Sequence, residues 1–460
     1  MGFLAVREEI VRLRPDPPPS LGGYLRPPPI TPELAERSAA RLLRISLGER
    51  TVNSCNIAVA DLDGDGLDEI VVPHNRGETD VVTAFRGDGT KLWETTDVRF
   101  YHAHYGDSEL YRGTHWHCRS HHRHLLSIAS DVDGDGRPEV TVGDGPLHVL
   151  QGASGAVRRV IDLDGCVQYF ALGRLEAAAP PAIVAAVNHH QRSGSLVAVR
   201  GSGEVLWQHP TPGMSFEDKL ICGDLNGDGL DEIAFSMADI QRFEVRDAAG
   251  ELLWAKHVPE EIGEDTHVDD LLIAPLIGGR PHLATSTGAC VFDAEGKLVW
   301  TLRERIDHGQ KVACAQPPGF DAPVLYLNSK TGRRAYLIDA AGQLLWEYGG
   351  FSSPLAGGIY LTTAADWVDW TQPGAREIAQ SEIFIPGPDA AATPGERLTL
   401  YLTILSPRGE AVMVLPYEDT LRRGFNGAMC AVAGHVRTRD RQNIVMITHN
   451  SSEVLVFSPL

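Results

Sequence analysis

The chain has 460 residues, a formal net charge of −20, 47 glycines and 29 prolines. That length exceeds one ordinary core, so it implies several domains or a repeat architecture. The acidic excess argues against nucleic acid or an anionic membrane surface as the main partner. Seven scattered cysteines without a Cys-x-x-Cys pair argue against a disulfide framework.

Residues 1–14 carry charges through their apolar positions and lack the uninterrupted apolar core of a signal peptide. No stretch is long and apolar enough for a membrane span. The expected compartment is a reducing cytoplasm, with an export signal already trimmed away as the open alternative. Residues 1–41 read as a proline-rich arm with short helices. The run LLRISL from Leu42 to Leu47 then reads as a strand.

From there the chain repeats. FRGDGTKLWE, VRGSGEVLWQ, VRDAAGELLWA, FDAEGKLVWT and IDAAGQLLWEY each read as strand, glycine turn, strand. Their tryptophans are Trp93, Trp207, Trp254, Trp300 and Trp346, the last four spaced 47, 46 and 46 residues apart. Two further apolar runs precede each hairpin. Four strands in a period near 46 residues are the blade of a β-propeller. The fold class is therefore all-β, a single propeller over residues 42–460. Eight blades are expected, or seven if the degenerate segment 356–416 is misread. Leu42–Leu47 would complete the last blade beside EVLVFS. The tryptophan endings resemble those of quinoprotein-type propellers, and they read here as inter-blade packing residues.

Three turns share the pattern Asp-x-Asp/Asn-Gly-Asp-Gly-x-x-Glu: DLDGDGLDE, DVDGDGRPE and DLNGDGLDE. Hard cations take several oxygen ligands, and glycines allow the tight curl that turns alternate carboxylates inward. The expected calcium ligands are Asp61, Asp63, Asp65 and Glu69 with the Leu67 carbonyl. In the second loop they are Asp131, Asp133, Asp135 and Glu139 with the Arg137 carbonyl. In the third they are Asp224, Asn226, Asp228 and Glu232 with the Leu230 carbonyl. Position twelve is apolar in each loop (Val72, Val142, Phe235), so these are not EF-hands. They resemble the shortened loops of FG-GAP repeats in integrin-like and polysaccharide-lyase propellers. The stretch from Asp366 to Glu377 reads as a decayed loop whose ligand spacing is lost.

In a four-stranded meander the calcium-type loops join strands one and two, on the face that also holds the three-to-four turns. The opposite face collects the two-to-three turns and the crossovers. By this reading 13 of the 18 histidines fall on that opposite face, with a long insertion from Asp97 to His124 supplying seven. Candidates for proton transfer are His117, His122, His189, His190, His267 and His308, with Tyr105 or Tyr111 as acid. Arg76, Arg112, Arg192 and Lys311 are candidates for binding charge. The pairs His102/His104 and His115/His117 each offer two ligands to a transition metal.

Eight blades with such turns resemble the rhamnogalacturonan lyases of polysaccharide lyase family eleven, over roughly residues 50 to 460. The resemblance implies a calcium-bearing propeller that cleaves uronate-containing oligosaccharide or polysaccharide by β-elimination. Histidine and tyrosine suit the proton transfers, and a cation suits the carboxylate. Two alternatives stand beside it: a non-catalytic glycan- or protein-binding propeller, and a sugar dehydratase.

Overall fold

In the computed structural model the described residues are 31–48, 57–77, 79–100, 126–189, 193–213, 216–263, 268–306, 309–329, 334–348, 359–384, 397–420, 431–448 and 452–459. They form eight four-stranded antiparallel sheets, each a meander in chain order except the last. The blades span 58–95, 126–161, 166–211, 216–257, 271–301, 309–348, 359–420 and 431–457. The eight-bladed expectation holds, and the degenerate seventh segment is a full blade.

The eighth blade takes its outermost strand from the other end of the chain. Leu42–Ser46 pairs antiparallel with Glu453–Phe457, Leu42 opposite Phe457 and Ser46 opposite Glu453. Arg44 and Glu453 add an ion pair across this seam at 2.7 Å. A helix, Pro32–Arg41, feeds the strand. Thr31 caps its first turn by accepting the Leu34 amide at 3.1 Å, and Pro32 fits there because its missing N–H is not needed. Ser38 anchors the helix by donating to the Pro416 carbonyl of the seventh blade.

The apolar core lies between blades. Val71, Ala84 and Trp93 of the first blade pack with Val140, Val142 and Leu150 of the second. Ile70 and Val72 pack on their other side with Val445 and Val456 of the eighth. Middle strands sandwiched this way are buried almost throughout, as in Ala182–His189, where the first seven residues, the polar Asn188 among them, are buried. Outermost strands are more exposed, and no residue of Val205–Thr211 is buried, because one side meets solvent.

The five tryptophans stitch neighbouring blades, as the sequence suggested. Each donates its indole N–H to a carbonyl in the next blade's three-to-four turn. The pairs are Trp93 to Gly152 at 2.6 Å, Trp207 to Ala248 at 3.0 Å and Trp254 to Ala294 at 2.9 Å. Trp300 to Ala340 and Trp346 to Pro407 follow at 3.0 and 2.9 Å. The ring lies against a turn glycine at positive φ. A Cβ at Gly296 would sit 2.6 Å from Trp254. No helix of the described residues is long and apolar enough to cross a membrane.

Candidate functional site: the Asp-Gly loops and the crossover face

The three Asp-Gly loops share one backbone design. The leading aspartate accepts two amides: Asp61 takes those of Gly64 and Gly66 at 2.8 and 2.9 Å, Asp131 those of Gly134 and Gly136 at 2.6 and 2.8 Å. Asp224 does the same for Gly227 and Gly229 at 2.7 and 3.0 Å. All six glycines have φ between 81° and 92°, the left-handed region that a side chain disfavours. The closing glutamate turns back under the loop. Glu69, Glu139 and Glu232 accept the amides of Leu62, Val132 and Leu225 at 2.8, 3.2 and 2.7 Å. These glutamates are buried, at 1, 1 and 2 % exposure.

Carboxylate oxygens of Asp61, Asp63 and Glu69 lie within 4.8 Å of one another, and so do those of Asp131, Asp133 and Glu139. That spacing suits a hard cation with several oxygen ligands. Asp65 and Asp135, expected as ligands, stand outside these groups; they cap the amides of Leu67 and Arg137 at 2.8 and 2.9 Å. The third loop fits less well. Asn226 donates its amide to Glu232 Oε1 at 2.8 Å and to Asp228 Oδ2 at 3.1 Å, so a donor faces the carboxylates. Burial, opposed by the Leu62 amide and reinforced by Asp63, Asp65 and Asp61, raises Glu69 to about 7. Glu139 and Glu232 are raised chiefly by burial as well.

The seventh blade corrects the sequence reading. Counted from Asp369, not Asp366, its first turn keeps the nine-residue frame as DWTQPGARE. Asp369 accepts the Gly374 amide at 2.9 Å, and Glu377 accepts the Trp370 amide at 3.0 Å. Thr371 stands where Asp63 stands and donates its hydroxyl to Glu377. Ligand chemistry has gone, but the frame remains. Asp366 is instead an innermost-strand residue, accepting the Ala433 amide of the next blade at 3.1 Å.

Position eight of the frame has a role that the sequence reading missed. Asp68 accepts the His435 amide at 2.7 Å and donates its own amide to the His435 carbonyl at 3.1 Å. Asp231 repeats this reciprocal pair with Arg174, at 2.8 and 2.9 Å. Each latch ties a loop to the preceding blade. The second loop carries Pro138 there, which has no N–H to give.

Of the candidates that the sequence assigns to the crossover face, His117, His122, His190, His267, His308, Tyr105, Tyr111, Arg112 and Arg192 lie outside the described residues, as do His102, His104 and His115. His189 ends the strand Ala182–His189. Its Nδ1 meets the Asp164 carbonyl at 2.9 Å and its Nε2 the Ser195 hydroxyl at 2.6 Å. A carbonyl only accepts, so Nδ1 carries the proton and Ser195 donates to Nε2. His74 is buried, with Nε2 3.0 Å from the Thr83 hydroxyl. Arg76 pairs with Glu94 at 2.9 Å, and bonds from Arg76 and Lys91 hold Glu94 down at about 2.

Lys311 points to a cluster of which the sequence reading held only part. It pairs with Asp270 at 3.4 Å, and Lys219, from the fourth blade's innermost strand Phe216–Gly223, pairs with the same carboxylate. Asp270 is buried and also accepts the Val312 amide at 3.0 Å. Burial pushes it up, but Lys219 and Lys311 hold it below the usual carboxylate range. Beside it Gln310 donates to Asp269 at 2.5 Å. Blades four, five and six thus bring two lysines to one buried aspartate where the crossovers enter the innermost strands. Lys219 carries no sequence signal beyond its place on an innermost strand.

These features define an eight-bladed β-propeller with Asp-Gly turns. No protein-family profile matches the chain, and no curated protein matches it. Among solved structures the chain is similar to Sqt1 of Saccharomyces cerevisiae, at 11% identity and TM-score 0.52, covering 90% of this chain and 99% of that one. It is also similar to BamB of Moraxella catarrhalis (13%, TM-score 0.49, covering 90% and 98%). The computationally designed protein Ika8 gives 13%, 0.48, 90% and 99%. At these identities the likeness is one of fold alone.

Proposed function

We propose that this propeller binds uronate-containing saccharides at its crossover face and cleaves them as a carbon–oxygen lyase, with calcium in an Asp-Gly loop bracing the ring. The observation that carries the reading is the convergence of Lys219 and Lys311 on Asp270. His267 and His308 flank this cluster in the sequence. β-Elimination removes the proton α to the uronate carboxylate and expels the 4-linked oxygen. Ammonium groups favour the charge that builds on that carboxylate, and a neighbouring histidine can take the proton. The FG-GAP and lyase-family resemblance rests on the eight blades and their Asp-Gly turns, and it supports the calcium part of the reading more than the chemistry.

The test is incubation with a panel of uronate oligosaccharides, read by the ultraviolet absorbance of the new conjugated double bond. Alanine at His122, His190, His267 or His308 should lower the rate by about 10²–10⁴ for whichever moves the proton. Lys311→Met should raise KM more than it lowers kcat. A second reading, a non-catalytic binding propeller, is favoured by one observation: His74 is buried and both ring nitrogens of His189 are engaged. Saccharide or protein held intact on this face, with no turnover across the panel, would establish that reading in place of the lyase.

A further inference from the structure

The outermost strands of the propeller share a defect that places one arginine uniquely. In each of blades one to seven, the register between strands three and four slips by one residue just after the turn. The residue left without a cross-strand partner is Leu92, Arg158, Leu206, Leu253, Val299, Leu345 and Val412 in turn. A bulge of this kind re-aims the side chain of the extra residue. Six of the seven are apolar, and Leu253, Val299 and Val412 are more than two-fifths exposed. The exception is Arg158, in the blade of the second Asp-Gly loop.

Arg158 Nη1 donates to Asp133 Oδ2, to Glu139 Oε1 at 3.0 Å and to Asp135 Oδ2 at 3.4 Å. Two of these residues, Asp133 and Glu139, belong to the loop's tight carboxylate group with Asp131. In the other three frames the oxygen equivalent to Glu139 Oε1 meets something different. Glu232 Oε1 takes the Asn226 amide and Glu377 Oε1 the Thr371 hydroxyl, each from within the loop. Glu69 has a bulge leucine, Leu92, in its blade and among the described residues accepts the Leu62 amide alone, through Oε2. Arginines reach the first loop too, Arg86 pairing with Asp63 Oδ2 at 3.1 Å and Arg439 donating to the Asp65 carbonyl, but among the described residues neither bonds the closing Glu69 as Arg158 bonds Glu139.

We propose that Arg158 is a built-in counter-cation that takes the metal's place in the second Asp-Gly loop, leaving the first loop as the chain's tight divalent-cation site. A calcium ion bound by Asp133 and Glu139 would need the same oxygens that the guanidinium holds, and two cations cannot share them at ligand distance. The planar guanidinium suits the role because one group donates to several carboxylates at once. The inference rests on the reading of these loops as cation sites and adds a rank among them.

Calcium titration of the full chain by calorimetry, after chelator treatment, tests both layers. Wild type should show one tight equivalent that Asp63→Asn abolishes. Arg158→Gln should gain a second equivalent, tighter than any second-loop binding in wild type by an order of magnitude or more. Adding Asp131→Asn to Arg158→Gln should remove that gain. Thermal melting gives an independent readout: Arg158→Gln should melt lower than wild type in chelator and recover with calcium, which distinguishes a vacated cation site from a misfolded variant. Arg158→Gln that binds no extra calcium, while Asp63→Asn still abolishes wild-type binding, overturns the role of Arg158 and leaves the cation reading standing. Two equivalents of similar affinity in wild type, one of them lost in Asp131→Asn, overturn it as well. No calcium bound by any of these proteins removes both.

Discussion

The loops Asp61–Glu69 and Asp369–Glu377 run through the same frame with different contents. Both bond the leading aspartate to the glycine at position six and the closing glutamate to the amide at position two. The first adds Asp63 and Asp65; the other has Thr371 and Pro373 in their places. The backbone path therefore needs the aspartate, the glycine and the glutamate, and the middle carboxylates are surplus to it. A surplus of negative charge beside a buried glutamate is destabilising unless something positive joins it. Arg86 at Asp63 offsets part of that charge, and the remainder is the physical case for a cation in the first loop.

The contrast can be broken most directly with calcium. Saturating calcium should raise the melting temperature of the chelator-treated protein, since a ligand at a hundredfold its Kd stabilises the native state by about 2.7 kcal/mol. Asp63→Asn should lose that response while Thr371→Val keeps it. Equal responses in all three proteins would show that the surplus carboxylates do not hold the ion. Next in size is the shared part of the frame. Glu377→Ala leaves the buried amide of Trp370 without its acceptor and should lower stability by about 2 kcal/mol in urea denaturation, with or without calcium. Glu69→Ala should match that loss in chelator and exceed it in calcium. A silent Glu69→Ala in chelator would mean that this glutamate serves the ion alone. Smallest is the latch to the eighth blade, made by Asp68 in the first loop and by Gln442, which bonds the Asp369 amide at 3.0 Å, beside the other. Asp68→Ala and Gln442→Ala should each lower stability by about 1 kcal/mol, independent of calcium.

The ring was legible because its signal is local and repeated: each Gly-x-x-x-Trp-type hairpin announces a blade, and the tryptophan needs only the next turn's carbonyl to dock. The frame at Asp369 was hidden because its ligand carboxylates, the legible part of the motif, are replaced by the hydroxyl of Thr371 and by Pro373. Arg158 was hidden for a different reason. Its approach to Glu139 depends on a one-residue slip between strands, which shifts no apolar residue in the pattern and so leaves no periodic trace. The latches of Asp68 and Asp231 bond backbone in another blade, and backbone partners carry no residue type to read. Lys219 joins Lys311 through the curvature of the ring, across a whole intervening blade.

The seam of the eighth blade also sets an order of events as the chain is made. The strand Leu42–Ser46 leaves the ribosome early but finds its partner, Glu453–Phe457, only some four hundred residues later. Until then Ile70 and Val72 of the first blade have no eighth blade to cover them. At ordinary rates of about 5–20 residues per second, the nascent ring would stay open for tens of seconds. An open end of that kind presents both an apolar flank and an unpaired strand edge, the two features that invite pairing with another copy. The helix Pro32–Arg41, held to the seventh blade through Ser38, would gain its anchor only shortly before the seam itself closes.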